Sequence, residues 1–160
     1  MPVTIAVETP LQDEVRELVA LLNEHLLPLS PPEFQFKMTV EQMAGPDTTV
    51  FVARDETGRA VGIGALKLAE DGLAEVKRMF TRLEVRGERV GSALLDAITE
   101  LARQRGVTTL LLETGEGEGF AGAIRLYERS GFTRRGAFFD YPDSPWSRFY
   151  EKQLAAATAA

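Results

Sequence analysis

The stretch from Val76 to Leu101 limits the folds open to this chain more than any other, because it leaves a strand, turns through two glycines and continues as a long amphipathic helix. Val90, Ala93, Leu94, Ala97, Ile98, Leu101 and Ala102 recur at intervals of three and four, the period of a helix with one face on a core. The turn itself reads Arg86-Gly87-Glu88-Arg89-Val90-Gly91-Ser92. Gly87 and Gly91 let the backbone bend tightly and approach a ligand without a Cβ in the way. The first N–H groups of the following helix have no partner within it, and with the positive end of the dipole they offer a seat for phosphate or pyrophosphate. Arg86 and Arg89 add whole charges there. The competing reading is an ordinary strand-turn-helix with packed glycines and solvated arginines, since a glycine pair is a weak signal alone.

Elements on either side narrow the choice. Val3, Ile5 and Val7 alternate as a first strand, and Thr9-Pro10-Leu11-Gln12 is expected to open a helix with Thr9 as cap and Gln12 closing a capping box. Leu11, Val15, Leu18, Val19, Leu22 and Leu26 would form its buried stripe, and Pro28 would end it. His25, in its last turn, is read as a cap on carbonyls rather than as a catalytic group. A proline-stiffened loop follows, Leu29 to Phe36, and Thr39 to Gln42 forms a second capping box for a short helix. Residues Thr49 to Arg54, Ala60 to Leu68 and Leu73 to Thr81 read as an antiparallel meander. Past the long helix, Val107 to Glu113 is a strand expected to lie parallel to Leu73 to Thr81 through a right-handed crossover. A helix from Phe120 to Arg129 and two strands, Phe132 to Phe139 and Trp146 to Gln153, complete the series. The alanine-rich end, residues 155–160, is expected to be disordered, leaving one domain over 1–154.

Composition removes several classes of chemistry. There is no cysteine and only one histidine, so thiolate sites, a cysteine nucleophile and a histidine metal cluster are unavailable, and no metal is expected. A net charge of −6 gives no general attraction to nucleic acid, which leaves the arginines of the turn as a local patch. No apolar run approaches the roughly 20 residues of a membrane-spanning helix, and no signal peptide is apparent. The expectation is a cytoplasmic protein without membrane or nucleic-acid partners; pairing as a homodimer is left open.

With the elements in place, the turn resembles the acyl-CoA-binding motif of the GNAT superfamily of N-acetyltransferases, which reads Arg or Gln, any, any, Gly, any, Gly or Ala. Arg86 and Gly91 match its ends, while Arg89 stands where the family usually has its first glycine, a place where a side chain is tolerable only at negative φ. Ala123-Ile124-Arg125-Leu126-Tyr127-Glu128-Arg129-Ser130-Gly131-Phe132 is similar to the family's second motif, and the order β, α, α, β, β, β, α, β, α, β, β is the family's order. Phe120 occupies a position where many members carry an asparagine. The proline-rich first loop, Gly64 to Lys67, Leu112 to Gly115 and Asp140 to Asp143 resemble a bacterial subgroup of small acetyltransferases. This implies an α+β fold: a mixed, mostly antiparallel sheet of about seven strands with four helices, its parallel fourth and fifth strands splayed for acyl-CoA.

The resemblance also implies chemistry. The co-substrate would be acetyl-CoA, with its pantetheine arm against backbone around Met79 and Phe80 and its phosphates on Arg86, Gly87, Glu88, Arg89, Val90, Gly91 and Ser92. A free lysine-like amine has a pKa of about 10.4, so a carboxylate that removes its proton is useful. Glu75 and Glu113 are the candidates, Glu75 preferred, and solvated or ion-paired strand-end carboxylates are the alternative. Tyr127 is the family position that donates a proton to the departing thiolate; a packed core aromatic is the competing role. Acceptor contacts are expected from Glu33, Phe34, Tyr141 and Asp143, with Phe36 and Trp146 extending an apolar wall and Asp140 sharing the hold on an ammonium group. That points to a small-molecule amine. Two other classes fit parts of the chain. An acyl-CoA-binding sensor without turnover suits the turn equally well. Gly115-Glu116-Gly117-Glu118-Gly119 imitates a dinucleotide fingerprint, but two carboxylates would face a pyrophosphate and the first half is antiparallel.

Overall fold

The computed structural model describes residues 2–155; residues 156–160, most of the tail expected to be disordered, lie outside them. Seven strands form one sheet: β1 (Thr4–Val7), β2 (Thr48–Arg54), β3 (Ala60–Leu68), β4 (Leu73–Thr81), β5 (Thr109–Gly115), β6 (Thr133–Arg135) and β7 (Ser147–Gln153). Their spatial order is β1-β2-β3-β4-β5-β7-β6, and only β4 and β5 pair in parallel. Helices α1 (Asp13–Leu26) and α2 (Val40–Met43) pack on one face, while α3 (Val90–Gln104) packs on the other and α4 (Ala121–Arg129) follows β5.

Alternation along the central strands separates the two cores. Phe51, Val61, Leu66 and Val76 point toward α3, while Val50, Val52, Ile63 and Ala65 point toward α1 and α2. Strands buried on both faces read as continuous apolar runs, which is why β3 is closed to solvent over most of its length. Helix α3 starts at Val90, within the stretch read as the turn, and Leu94, Leu95, Ile98 and Ala102 are fully buried. Its buried stripe extends to Leu95 and Thr99, whereas Ala93, Ala97 and Leu101 lie half-buried at its edge.

Several boundaries differ from the expected ones, each for a local reason. Helix α1 begins at Asp13, with Gln12 rather than Thr9 at its N-cap. The Gln12 amide is drawn instead to Glu8 and the Thr9 carbonyl, and Arg54 ties Glu8, Gln12 and Glu14 together. Leu11 therefore precedes the helix and is exposed rather than part of its stripe. The second capping box, Thr39 with Gln42, forms as expected, both hydrogen bonds being present. Strand β5 is displaced to Thr109–Gly115 because the Val107 amide is taken by the Ala102 carbonyl at the end of α3. Strand β6 stops at Arg135 instead of Phe139. Beyond it the chain turns inward through Phe139 at φ +51°, and Phe138 packs on Phe149.

Candidate active site

The site is built where the two parallel strands separate. Leu73, Ala74 and Glu75 of β4 pair with Thr109, Leu110 and Leu111 of β5, and both strands then run on without pairing to each other. Glu75 is the last paired residue of β4, and Glu113 lies two residues past the last pair on β5. A β-bulge accompanies the separation: the β3–β4 register shifts between Ile63 and Ala65, and Arg78 takes φ +56°. Gly64 faces the bulge. A Cβ there would meet the Met79 sulfur at 2.6 Å and the Ile98 Cδ1 at 2.9 Å, so only glycine lets the irregular strand lie this close.

A cavity of about 770 Å³ occupies the fork. On the α3 side it is lined by the glycine turn. There Gly87 has φ +88° and Arg89, at the N-cap of α3, has φ +64°. The expectation that a side chain at position 89 needs negative φ is thus corrected: Arg89 adopts the left-handed conformation, at a cost of order 1 kcal/mol. Left-handed residues set among ordinary ones turn backbone N–H groups toward one side, and this concavity joins the unpaired amides of the first turn of α3. Arg86 lies over the Phe80 ring, 5.7 Å from its centroid. Met79, Phe80, Arg86, Gly87, Arg89, Val90 and Gly91 all line the cavity. Glu88 and Ser92 are not among its lining residues, and the Ser92 hydroxyl accepts a hydrogen bond from Arg129.

On the other side Glu75 is 5% exposed and sits in a network that no sequence spacing reveals. The Tyr141 hydroxyl donates to Glu75 Oε2, and Lys77 Nζ donates to Tyr141 at 2.7 Å and lies 3.4 Å from the same carboxylate oxygen. Burial, then the Glu75 charge, raises the Tyr141 phenol well above its ordinary range, so it keeps its proton. Glu113 is different. Burial pushes its carboxyl up to about 7, with Glu75 reinforcing the shift and Lys77 opposing it. Tyr127 is 7% exposed, with its ring set edge-on to Phe132 at 6.2 Å and tilted to Tyr150 at 6.5 Å. Burial, and secondarily the Glu113 charge, hold its phenol above the usual range. Its helix neighbours Ala123 and Leu126 line the cavity; Tyr127 itself belongs to the core behind them.

The expected acceptor contacts divide by chemistry. Phe34, Phe36 and Tyr141 line the cavity, and Phe36 meets the Tyr141 ring edge-on at 4.9 Å. Glu33 and Asp143 do not line it; both are exposed, as are Asp140 and Trp146. This corrects the assignment of Glu33 and Asp143 to an ammonium site. The aromatics turn inward to bury their rings and fasten the two loops, which leaves the hydrated carboxylates outside.

Sequence reasoning missed several lining residues: Arg78, Lys77, Gln35 and Phe120. Arg78 is 9% exposed and donates to Asn23 Oδ1, while its Nε has no partner. Burial lowers its pKa to about 10. Gln35 spans its loop by donating to the carbonyls of Leu26, Leu27 and Ser30, and its own Oε1 is buried and unpartnered. The Phe120 ring covers Gly115 so closely that a Cβ there would come within 2.1 Å of it. Its neighbour Glu116, one of the carboxylates in the dinucleotide-like run, is ion-paired with Arg148 of β7. His25 is exposed and lines the cavity; no hydrogen bond from it to a carbonyl accompanies the end of α1. Among the described residues no cluster of His, Cys, Asp or Glu is arranged to hold a metal, and no helix is long and apolar enough to cross a membrane.

Comparison with known proteins agrees with this geometry. The family model for the acetyltransferase (GNAT) domain matches residues 46–134, from just before β2 to β6. The IAA acetyltransferase of Azospirillum brasilense is 43% identical over 153 residues, covering 95% of this chain and 98% of that protein. A crystal structure described as that of an acyl-CoA N-acyltransferase from Klebsiella pneumoniae superposes with a TM-score of 0.79 at 36% identity, covering 96% of this chain and 98% of the other. The PaiA N-acetyltransferase of Thermoplasma acidophilum, solved in complex with coenzyme A, shares the fold at a TM-score of 0.74 and 15% identity, over 96% of this chain and all of that one. By sequence, by fold and by the glycine turn beside a forked parallel strand pair, the chain belongs to the GNAT family of acetyltransferases, enzymes that draw their acetyl group from acetyl-CoA.

Proposed function

We propose that this enzyme moves the acetyl group of acetyl-CoA directly to the amine of a small molecule, with a glutamate as base and Tyr127 as acid. The observation that carries the reading is the single cavity at the β4–β5 fork, which joins the glycine turn to both candidate carboxylates. The amine nitrogen forms its bond to the thioester carbonyl carbon, the C–S bond breaks, one proton leaves nitrogen for a carboxylate, and one reaches the departing sulfur. Of the two carboxylates, Glu113 suits the base role better. A base works best when its pKa lies near the working pH, and burial brings Glu113 to about 7. Glu75 already accepts from Tyr141 and Lys77, so its Oε2 is occupied by two donors. Proton uptake by Glu113 removes the charge that adds to burial in raising Tyr127, which makes the phenol a better donor at the moment sulfur leaves.

The phosphates of the co-substrate are assigned to the turn, with Arg86 and Arg89 as its charged partners. Replacing both arginines by Ala is expected to raise the acetyl-CoA dissociation constant roughly ten- to a hundredfold and to flatten its salt dependence, as follows from losing charge-assisted hydrogen bonds. An unchanged affinity at low salt, measured by calorimetry, would remove this assignment.

For the acceptor, the apolar wall of Phe34, Phe36 and Tyr141 supports a small amine with an apolar portion, such as an amino acid derivative or an arylalkylamine. A net charge of −6 argues against nucleic acid. The test is a CoA-release screen across amino acids, arylalkylamines, polyamines and peptide N-termini. Turnover confined to folded protein acceptors or to polyamines would overturn the small apolar amine. Tight acetyl-CoA binding with no product from any amine would instead favour a sensor.

A further inference from the structure

Arg78 is a buried charge in the cavity wall that the reaction leaves without a task. A guanidinium has five N–H donors and cannot be neutralised under physiological conditions, so burying it without a carboxylate is expensive. Here it is nine-tenths buried, lines the cavity, and among the described residues forms no ion pair. Asn23 supplies one neutral acceptor, and Nε has none. The backbone is also distorted to aim this side chain: Arg78 sits in the bulge of β4 at φ +56°, a conformation that costs an L residue about 1–2 kcal/mol.

Neither of the cavity's own carboxylates answers this charge. Glu75 is engaged by Lys77 and Tyr141, and Glu113 is held up near 7 by burial. The phosphates of acetyl-CoA are also on the wrong side, since their turn opens α3 on one face of the sheet while Arg78 reaches Asn23 of α1 on the other. What remains is the acceptor.

We propose that Arg78 is a specificity-determining residue that binds a carboxylate on the acceptor, so that the preferred substrate is an amino acid rather than a simple amine. This rests on the reading of the cavity as the site of acetyl transfer to a small amine. The guanidinium fork matches a carboxylate in two parallel hydrogen bonds, which a neutral amide cannot reproduce.

The test compares L-amino acids with their primary amides and with the corresponding decarboxylated amines as acceptors in a CoA-release assay. In the wild-type enzyme the best acid is expected to exceed its amide roughly ten- to a hundredfold in kcat/KM. That ratio is expected to fall toward one in Arg78→Gln and to recover only in part in Arg78→Lys, while the acetyl-CoA dissociation constant of both variants stays at the wild-type value. Arg78→Met is expected to melt at or above the wild-type temperature, because it removes a buried charge that has no counter-ion. Turnover of amides or plain amines equal to that of the acids in the wild-type enzyme would overturn the inference and leave the proposed function standing. So would an acid preference that survives in Arg78→Gln, or a marked fall in the melting temperature of Arg78→Met, which would make Arg78 a structural tie to Asn23. Absence of turnover with every acid, amide and amine would sink the proposed function itself and this inference with it.

Discussion

Glu113→Gln is expected to lower kcat/KM at pH 7 by roughly 10²- to 10⁴-fold and to abolish the rise in rate expected of the wild-type enzyme through about pH 7. The sign follows from the role. A base acts when deprotonated, so wild-type activity climbs as pH passes the carboxyl's value and climbs further as the amine sheds its own proton. In the glutamine variant only the second rise remains, so the loss shrinks at high pH. Stability reports the same group independently. Because burial raises the carboxyl above its unfolded value of 4.5, its favourable contribution is full below about 4.5 and is lost as pH rises through about 7. Glu113→Gln should therefore match the wild type in stability at pH 4 and exceed it by roughly 3 kcal/mol at pH 8 in urea unfolding. If the pH-dependent rate loss belongs to Glu75→Gln and not to Glu113→Gln, the base is the residue that the sequence favours.

Tyr127→Phe is expected to slow the chemical step by roughly 10²- to 10⁴-fold while leaving acetyl-CoA affinity and folding stability close to wild type. The combination is diagnostic. Tyr127 is buried between Phe132 and Tyr150, and its hydroxyl makes no hydrogen bond to another described residue. Phenylalanine keeps the ring and its edge-on contacts, so packing changes little and only the proton is removed. Burial holds the phenol protonated, the state that a proton donor must occupy before sulfur leaves. Single-turnover kinetics with a saturating amine measure the step directly. A wild-type rate in the variant would reduce Tyr127 to a core aromatic, a role its position behind the cavity wall also permits.

The two arms of the site were unequally legible in the sequence. On the co-substrate side the reading depends on neighbours along the chain: a strand, a glycine turn, a helix with a 3.6-residue apolar period. Such information is local, and β3 and β4 lie where the residues place them. Even there Arg89 escaped, because its left-handed φ reflects the strand–helix junction that surrounds it rather than its own preference. The acceptor side depends on pairs far apart in the chain. Tyr141 and Glu75 are 66 positions apart, and only the packing of the loop before β7 onto β4 brings them together. Glu33 and Asp143 were plausible ammonium ligands by type and loop, yet hydration keeps their carboxylates outside while the aromatics beside them turn in.

The sequence by itself determined the family, the order of strands and helices, the absence of any cysteine and the glycine turn, since each is written in residue type and in spacing along one segment. Only the tertiary structure decided which titratable groups share one cavity and what each is free to do. A pKa near 7 at Glu113, a Glu75 held by Tyr141 and Lys77, and an unanswered charge on Arg78 arise from burial and from partners across the fold. A carboxylate or guanidinium carries the same letters whether it faces water or a buried fork, and it is the loss of water, weighed against the partners supplied, that sets its chemistry.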